Sequence, residues 1–146
     1  MKLILQRTSR ASVSVDGKIV GQINQGLMVL IGITHSDTKE NADALIKKLI
    51  NLRVFNDEQG KMNLSIQDVR GEFLVISQFT LYGNAKKGNR PSYVDAAPPD
   101  VAIPLYEYFI DSLMVESQLK VETGIFGAMM DVELVNSGPV TIILES

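Results

Sequence analysis

The chain of 146 residues contains no cysteine and only one histidine, His35. The lack of cysteine excludes disulfides, cysteine nucleophiles and thiolate metal sites. A single histidine also argues against a histidine-based zinc site. We therefore expect no metal and no cofactor.

The sequence also lacks a long apolar run and a surplus of positive charge. No apolar segment approaches the length of a membrane span, and the N-terminus turns polar too early for a signal peptide. These features predict a soluble, cytoplasmic protein without membrane contact. The net charge of −3 argues against a large duplex footprint, and so against DNA as a partner. It still allows a short single-stranded end to be held by local positive charges.

Hydrophobic residues make up 45% of the chain, enough for a substantial core. Their spacing predicts one α+β domain over residues 1–146, with two main helices on a curved, largely antiparallel, barrel-like sheet. Asp16-Gly17 predicts a hairpin turn, and GLMVLIGI predicts a central strand because it is apolar on both faces.

Two segments have helical spacing. The first is predicted to run to about Arg53, with Asp37 and Thr38 as candidate caps and Glu40 three residues after Asp37 as in a capping box. The second is predicted to begin near Ile103-Pro104, because proline suits a first helical turn.

The stretch EFLVISQFTLYG predicts a buried strand that is interrupted by Ser77, Gln78 and Thr80. Successive side chains of a strand point to opposite faces, so polar groups interrupt both faces at one level. One interpretation is a strand that frays into a loop, with its hydroxyls bonded to backbone. The other is a pocket floor whose N–H groups and hydroxyls face a ligand carbonyl.

Residues 83–100 form a long Gly/Pro-bearing loop that carries Lys86, Lys87 and Arg90. The cluster is either an ordinary solvated group of charges or a contact for a phosphate backbone, with Tyr93 offering a stacking face. Further on, NSGPVT either separates two strands at Gly138-Pro139 or marks a sheet edge, because proline cannot donate to a ladder.

Several motifs together resemble the D-aminoacyl-tRNA deacylase family of bacteria and eukaryotes. They are LQR near the N-terminus, KMNLS, SQFTLYG, KKGNRPS, AAPP, VETGIFGA and NSGPVT. The resemblance runs over nearly the whole chain, and the joint presence of SQFT and GPVT is its most specific part. It implies a homodimer that hydrolyses the ester of D-aminoacyl-tRNA.

The resemblance also implies the roles of single residues. Ser77, Gln78, Phe79 and Thr80 of one subunit would form the catalytic pocket. A cis Gly138-Pro139 pair would reach in from the other subunit and exclude L side chains by a steric clash. The same resemblance places three further residues around the substrate, with Arg7 near the Gly-Pro loop and Phe126 and Met130 along the adenosine pocket.

Glycine has no side chain and should pass this filter, so glycyl-tRNA, mischarged on tRNA(Ala), is an expected second substrate. No base is visible for Thr80 in the sequence, so we expect the neighbouring ribose hydroxyl of the RNA to assist the cleavage. Two other hypotheses are an animal-type paralogue that removes an L-amino acid from mischarged tRNA, and a non-catalytic module that binds RNA ends.

Overall fold

The computed structural model describes all residues 1–146. Eight strands and two α-helices form a single α+β domain. In chain order the elements are β1 (Lys2–Val15), β2 (Lys18–Ile23), β3 (Gly26–Gly32), α1 (Lys39–Asn51), β4 (Phe55–Asn56), β5 (Met62–Leu64), β6 (Glu72–Ser77), a 3₁₀ turn (Phe79–Tyr82), α2 (Pro99–Ser117), β7 (Val121–Thr123) and β8 (Asp131–Glu145).

The strands form one six-stranded sheet and a separate β4–β5 hairpin. The sheet order is β2-β1-β3-β6-β7, and β8 pairs with the other edge of β1. The predicted hairpin at Asp16-Gly17 is confirmed, since both residues have positive φ and β1 pairs with β2. The sheet is more mixed than expected, because β6 runs parallel to both β3 and β7.

The sheet curves until β2 and β7 nearly meet, which gives the barrel-like shape. Gly21 of β2 lies against Thr123 of β7, where an added Cβ would come within 2.6 Å of the Thr123 carbonyl oxygen. Only glycine allows this approach. A core of 24 buried residues includes the inner faces of both helices, and a smaller cluster of 6 contains Leu74 and Ile76 of β6. Strand β6 therefore contributes to both clusters.

The helices differ in detail from the prediction. Of the two predicted caps, Thr38 is the N-cap of α1, and its capping-box partner is Asn41 rather than Glu40. Asp37 instead accepts a bond from the Thr34 N–H. Helix α2 begins at Pro99, so Pro104 lies inside it. The Pro98-Pro99-Asp100 sequence starts the helix because a proline at the first helical position loses no hydrogen bond. No helix is both long and apolar enough to cross a membrane.

Two strand predictions were wrong in their extent. The strand predicted through Gly83 ends at Ser77, and Phe79–Tyr82 form a 3₁₀ turn. The segments on either side of Gly138-Pro139 belong to one long strand, β8, rather than to two. Its alternative interpretation as an edge is confirmed, because β8 pairs only with β1 and the pairing shifts register beside Arg7.

Candidate active site

The SQFT segment lies where β6, whose central residues are buried, leaves the core. Val75 and Ile76 are buried, Ser77 and Gln78 are half-buried, and Phe79 is exposed. The Gln78 N–H donates to the Ile31 carbonyl at 2.8 Å, which still follows the β3 ladder. The chain then tightens into the 3₁₀ turn. The polar segment is therefore a well-anchored turn, and the interpretation as a fraying strand end does not describe it.

The side chains of this turn are short of partners. The Thr80 hydroxyl accepts one bond, from Gln78 Nε2 at 2.5 Å, and the Ser77 hydroxyl makes none within the chain. No carboxylate, imidazole or amine of the chain hydrogen-bonds to either hydroxyl. His35 is engaged elsewhere, with its Nε2 at 2.9 Å from the Val94 carbonyl oxygen. Neither hydroxyl therefore has a base that could activate it as a nucleophile.

The main chain of the turn presents two free donors. The N–H groups of Phe79 and Thr80 open the 3₁₀ turn and donate to no other atom of the chain. The first N–H groups of any helical turn lack partners within it, so such a start is a ready site for a negatively charged oxygen. Two adjacent N–H groups in a fixed turn can stabilise an oxyanion without moving.

Phe126 and Met130, which the family resemblance assigns to the adenosine pocket, lie in the segment between β7 and β8. The segment that carries them follows β7, and the Gly124 N–H donates to the Val75 carbonyl of β6 at 3.3 Å. Phe126 packs against Tyr106 with ring centroids 5.6 Å apart. Met130 packs against the smaller cluster. Both side chains are half-buried, so part of each remains available to a ligand.

Tyr106 connects this region to α2. Its hydroxyl donates to the Val75 carbonyl at 3.0 Å, two residues before Ser77. Burial raises the pKa of Tyr106 to about 12. Burial, together with the Asp37 and Glu145 carboxylates, also raises the pKa of Tyr82 to about 12. Both phenols are therefore neutral at physiological pH, and neither can act there as a phenolate base.

The Gly138-Pro139 segment lies on the exposed face of β8. The peptide bond between the two residues is cis, and Gly138 has a φ of +137°. An added Cβ on Gly138 would lie 2.8 Å from Arg7 Nη2 and 2.9 Å from Val140 Cγ2. Any residue other than glycine would therefore be strained here and would displace a neighbour.

Side chains hold this segment from both sides. Arg7 Nε donates to the Ser137 carbonyl at 2.8 Å, while Arg7 Nη1 donates to the Val54 carbonyl at 2.6 Å and to Asn56 Oδ1 at 3.2 Å. The guanidinium thus joins the Gly-Pro segment to the β4 region. A cleft of about 340 Å³ opens beside Arg7 and Ser137, and no residue of the SQFT turn lines it.

Asn136 supports the Gly-Pro segment, and sequence reasoning missed it. Its Oδ1 accepts from the Val140 N–H at 2.8 Å, and its Nδ2 donates to Thr141 Oγ1 at 3.1 Å. The side chain therefore spans the Gly-Pro turn and fixes its two ends. An Asn shortly before a Gly-Pro pair was a usable signal, since Asn commonly bonds to nearby backbone at turns.

The two groups of predicted site residues do not meet within one chain. Ser77 pairs with Ile31, and Ile31 pairs with Leu3, four residues from Arg7 on β1. Gly138 lies beside Arg7, and β8 is separated from β6 by β1 and β3. Three strand spacings of about 4.8 Å and four rows of about 3.3 Å correspond to about 20 Å along the sheet surface.

The basic cluster lies on a closed loop beside the turn. Asn84 and Ser92 exchange two backbone bonds of 2.8 and 2.9 Å, which close the loop that carries Lys86, Lys87 and Arg90. All three cations are exposed and form no ion pair. No group of three or more His, Asp or Glu side chains comes together in a way that could hold a metal ion.

Comparison with known sequences gives matches over the whole length. The profile of the D-Tyr-tRNA(Tyr) deacylase family matches residues 4–145. A D-aminoacyl-tRNA deacylase of Bacillus velezensis is 58% identical over 146 residues, covering 100% of this chain and 99% of that protein. One of Thermosipho melanesiensis is 51% identical and covers 100% of this chain and 97% of its own.

Solved structures of the same fold agree with these matches. A c-Myc DNA Unwinding Element Binding Protein superposes with a TM-score of 0.94 at 42% identity, covering 100% of this chain and 99% of that chain. A probable eukaryotic D-amino acid tRNA deacylase superposes with a TM-score of 0.88 at 18% identity, covering 99% and 98%. At that lower identity the likeness concerns the fold alone.

Proposed function

The chain belongs to the D-Tyr-tRNA(Tyr) deacylase family, and on that premise we propose that it is a D-aminoacyl-tRNA deacylase. It hydrolyses the ester that joins a D-amino acid to the terminal ribose of tRNA and releases the free amino acid and the tRNA. The observation that carries this proposal is the pair of unpartnered N–H groups of Phe79 and Thr80, which suits the oxyanion of ester cleavage.

Selectivity for the D form is assigned to the Gly138-Pro139 segment. Its main-chain oxygens hold the substrate ammonium and leave no room for a side chain of L configuration, so the L ester is rejected by a clash. The rigid support from Arg7 and Asn136 favours this role, because a steric filter works only if it cannot move away. Glycine lacks the clashing group, so glycyl-tRNA is a second substrate.

The active unit is proposed to be a homodimer. About 20 Å of sheet surface separates Gly138 from Ser77 of the same chain, so a second subunit is needed to bring the filter to the turn. Strand β8 is suited to that contact because its outer edge is unpaired. Val135 and Ile143 on this strand are also 36% and 60% exposed, although both are apolar.

Ester cleavage is proposed to use the RNA itself. Neither Ser77 nor Thr80 has a basic partner in the chain, so the ribose hydroxyl beside the ester positions or activates the attacking water. The protein supplies orientation and the two N–H donors. Phe126 and Met130 contact the terminal adenosine, and Lys86, Lys87 and Arg90 contact tRNA phosphates. Aminoacyl-tRNA is used in translation, and we assign the enzyme to the cytoplasm.

The test is to incubate the protein with D-tyrosyl-tRNA, L-tyrosyl-tRNA and glycyl-tRNA and to follow loss of each ester. Rapid loss of the D and glycyl esters, with the L ester spared, is the expected result. Loss of an L ester would instead favour the paralogue that clears mischarged L-amino acids. Binding of tRNA without loss of any ester would favour the non-catalytic RNA-end-binding module.

A further inference from the structure

Two exposed aromatic rings form a corner at the mouth of the candidate site. The centroids of Phe79 and Tyr93 lie 5.3 Å apart, and the ring planes make an angle of 70°. Phe79 is 57% exposed and Tyr93 is 41% exposed. An edge-to-face pair is a favourable arrangement, yet here both rings keep open surface. A flat apolar ligand could therefore stack on one ring and touch the edge of the other.

The corner is held rigidly on the Tyr93 side. The Tyr93 carbonyl accepts from the Ala96 N–H at 3.1 Å, and the next carbonyl, of Val94, lies 2.9 Å from His35 Nε2. The ring lies close over Gly83, where an added Cβ would be 3.0 Å from Tyr93 Cε1. A ring that is already fixed loses little entropy when it binds a ligand.

The surroundings of the corner indicate what kind of ligand it suits. The closed loop with Lys86, Lys87 and Arg90 ends at Ser92, directly before Tyr93. Aromatic rings beside a small group of cations are the usual combination in proteins that bind single-stranded nucleic acid, where bases stack and phosphates are neutralised. A base inside a duplex could not reach the rings, whereas an unpaired base could.

We propose that the Phe79–Tyr93 corner stacks the unpaired base of the nucleotide that directly precedes the terminal adenosine of the tRNA. This inference rests on the proposed function, which places the aminoacyl ester at the N–H groups of Phe79 and Thr80. The side chain of Phe79 is exposed on the same turn, so the corner lies next to the ester, where the neighbouring nucleotide would pass. The cations of the loop then contact the phosphates on either side of the stacked nucleotide.

The experiment compares three D-tyrosyl esters: that of the trinucleotide CCA, that of the same trinucleotide with an abasic middle position, and that of adenosine alone. For the wild type we expect kcat/KM to fall about tenfold when the middle base is removed, the order of one lost stacking contact. Tyr93→Ala should lose about tenfold on the intact trinucleotide and nothing further on the abasic one. Tyr93→Phe keeps the ring and should behave as the wild type.

Direct binding separates this inference from the proposed function. Titration calorimetry with the uncharged CCA and abasic trinucleotides needs no hydrolysis, and we expect the same tenfold difference in Kd, abolished in Tyr93→Ala. Equal affinity of the wild type for both trinucleotides would overturn the proposal that the corner stacks this base, even if all D esters are cleaved. Absence of cleavage with the base-dependent affinity retained would overturn the deacylase assignment alone.

A purely structural role of Tyr93 has its own signature. If Tyr93→Ala lowers kcat/KM equally on all three esters, the ring only supports the turn and the proposal fails. If sedimentation shows that Tyr93→Ala converts a dimer to a monomer while the wild type ignores the middle base, the corner belongs to a subunit contact. That result would also overturn the proposal.

Discussion

The SQFT turn and the Gly138-Pro139 segment are both short and polar, but they are held in place in opposite ways. The turn continues from Val75 and Ile76, which are 0% and 1% exposed, so the core and the β3 ladder fix its main chain. The Gly-Pro segment lies on an exposed edge strand and is fixed by the side chains of Arg7 and Asn136. The turn should therefore tolerate loss of its Ser77 and Thr80 hydroxyls, whereas the Gly-Pro segment should not tolerate loss of the side chains that hold it.

The largest effect is expected where the main chain of the turn is altered. Phe79→Pro removes the Phe79 N–H, and proline is well tolerated at the first position of a helical turn. We expect about a hundredfold loss of kcat/KM relative to Phe79→Ala, which removes the same ring but keeps the donor. Single-turnover hydrolysis of D-tyrosyl-tRNA measures this. Equal rates in the two variants would mean that this N–H does not contact the oxyanion.

Gly138→Ala tests the other region. A methyl group at a φ of +137° would meet Arg7 and Val140, and it should displace the proposed filter and cost about a hundredfold in hydrolysis of the D ester. Gly60→Ala is the matched control, because Gly60 also has a positive φ, of +77°, but open space around it. Wild-type rates in Gly138→Ala would contradict a role of the Gly-Pro segment in this reaction.

Mixing these two defective proteins tests whether the regions come from different subunits. A mixed dimer of Phe79→Pro and Gly138→Ala contains one site with both defects and one with neither, if the filter is supplied across the interface. Activity should then reappear on mixing. If each chain supplied its own filter, both sites would remain defective and mixing would restore nothing.

Arg7→Ala should have an intermediate effect. It removes the bonds to Ser137, Val54 and Asn56 and leaves the Gly-Pro segment without its support. We expect about a tenfold loss on the D ester, as for one charged hydrogen bond, and measurable cleavage of the L ester as the filter loosens. Arg10→Ala is the control, since Arg10 is exposed on the same strand. Unchanged D/L discrimination in Arg7→Ala would contradict a rigid filter.

Much of the turn's environment could be predicted from the sequence, but its conformation could not. The apolar run before Ser77 identified β6 because a strand buried on both faces has no polar break. The 3₁₀ turn was missed because Phe79, Leu81 and Tyr82 continue the apolar pattern of a strand. Phe79 is nevertheless exposed, and periodicity carries no information about that.

The conformation of the Gly-Pro segment was also hard to predict from the sequence, because the local pattern does not carry the information. The sequence indicated an edge or a break at Pro139, and the cis bond was expected from the resemblance alone. The contacts that fix the segment join residues distant in the chain, such as Arg7 with Ser137 and Val54. No local pattern reports such pairs. Asn136, whose bonds are local, was the one support that could have been found.

Tyr106→Phe should change stability more than selectivity, because it acts on the core side of the turn. The Val75 carbonyl loses one donor but still accepts from Gly124, so we expect a loss of about 1 kcal/mol in the free energy of unfolding. The folded pKa of about 12 exceeds the ordinary value of 10.0, so this stabilisation is present below pH 10 and is lost as the pH rises toward 12. Urea unfolding at pH 8, 10 and 11 should show a shallower alkaline decline in the variant.

Thr80→Ala should have the smallest effect, and it distinguishes a main-chain site from a side-chain one. The substitution removes the hydroxyl that accepts from Gln78 but leaves the Thr80 N–H in place, since alanine fits the turn. We expect kcat/KM for D-tyrosyl-tRNA within about threefold of the wild type, because the hydroxyl has no base and, in the proposed mechanism, only the amide donates to the oxyanion. Ser77→Ala should behave alike for the same reason. A Thr80→Ala protein that folds and binds tRNA but does not cleave the ester would make the hydroxyl the reacting group. The contrast between a turn that acts through its main chain and a filter held by side chains would then no longer hold.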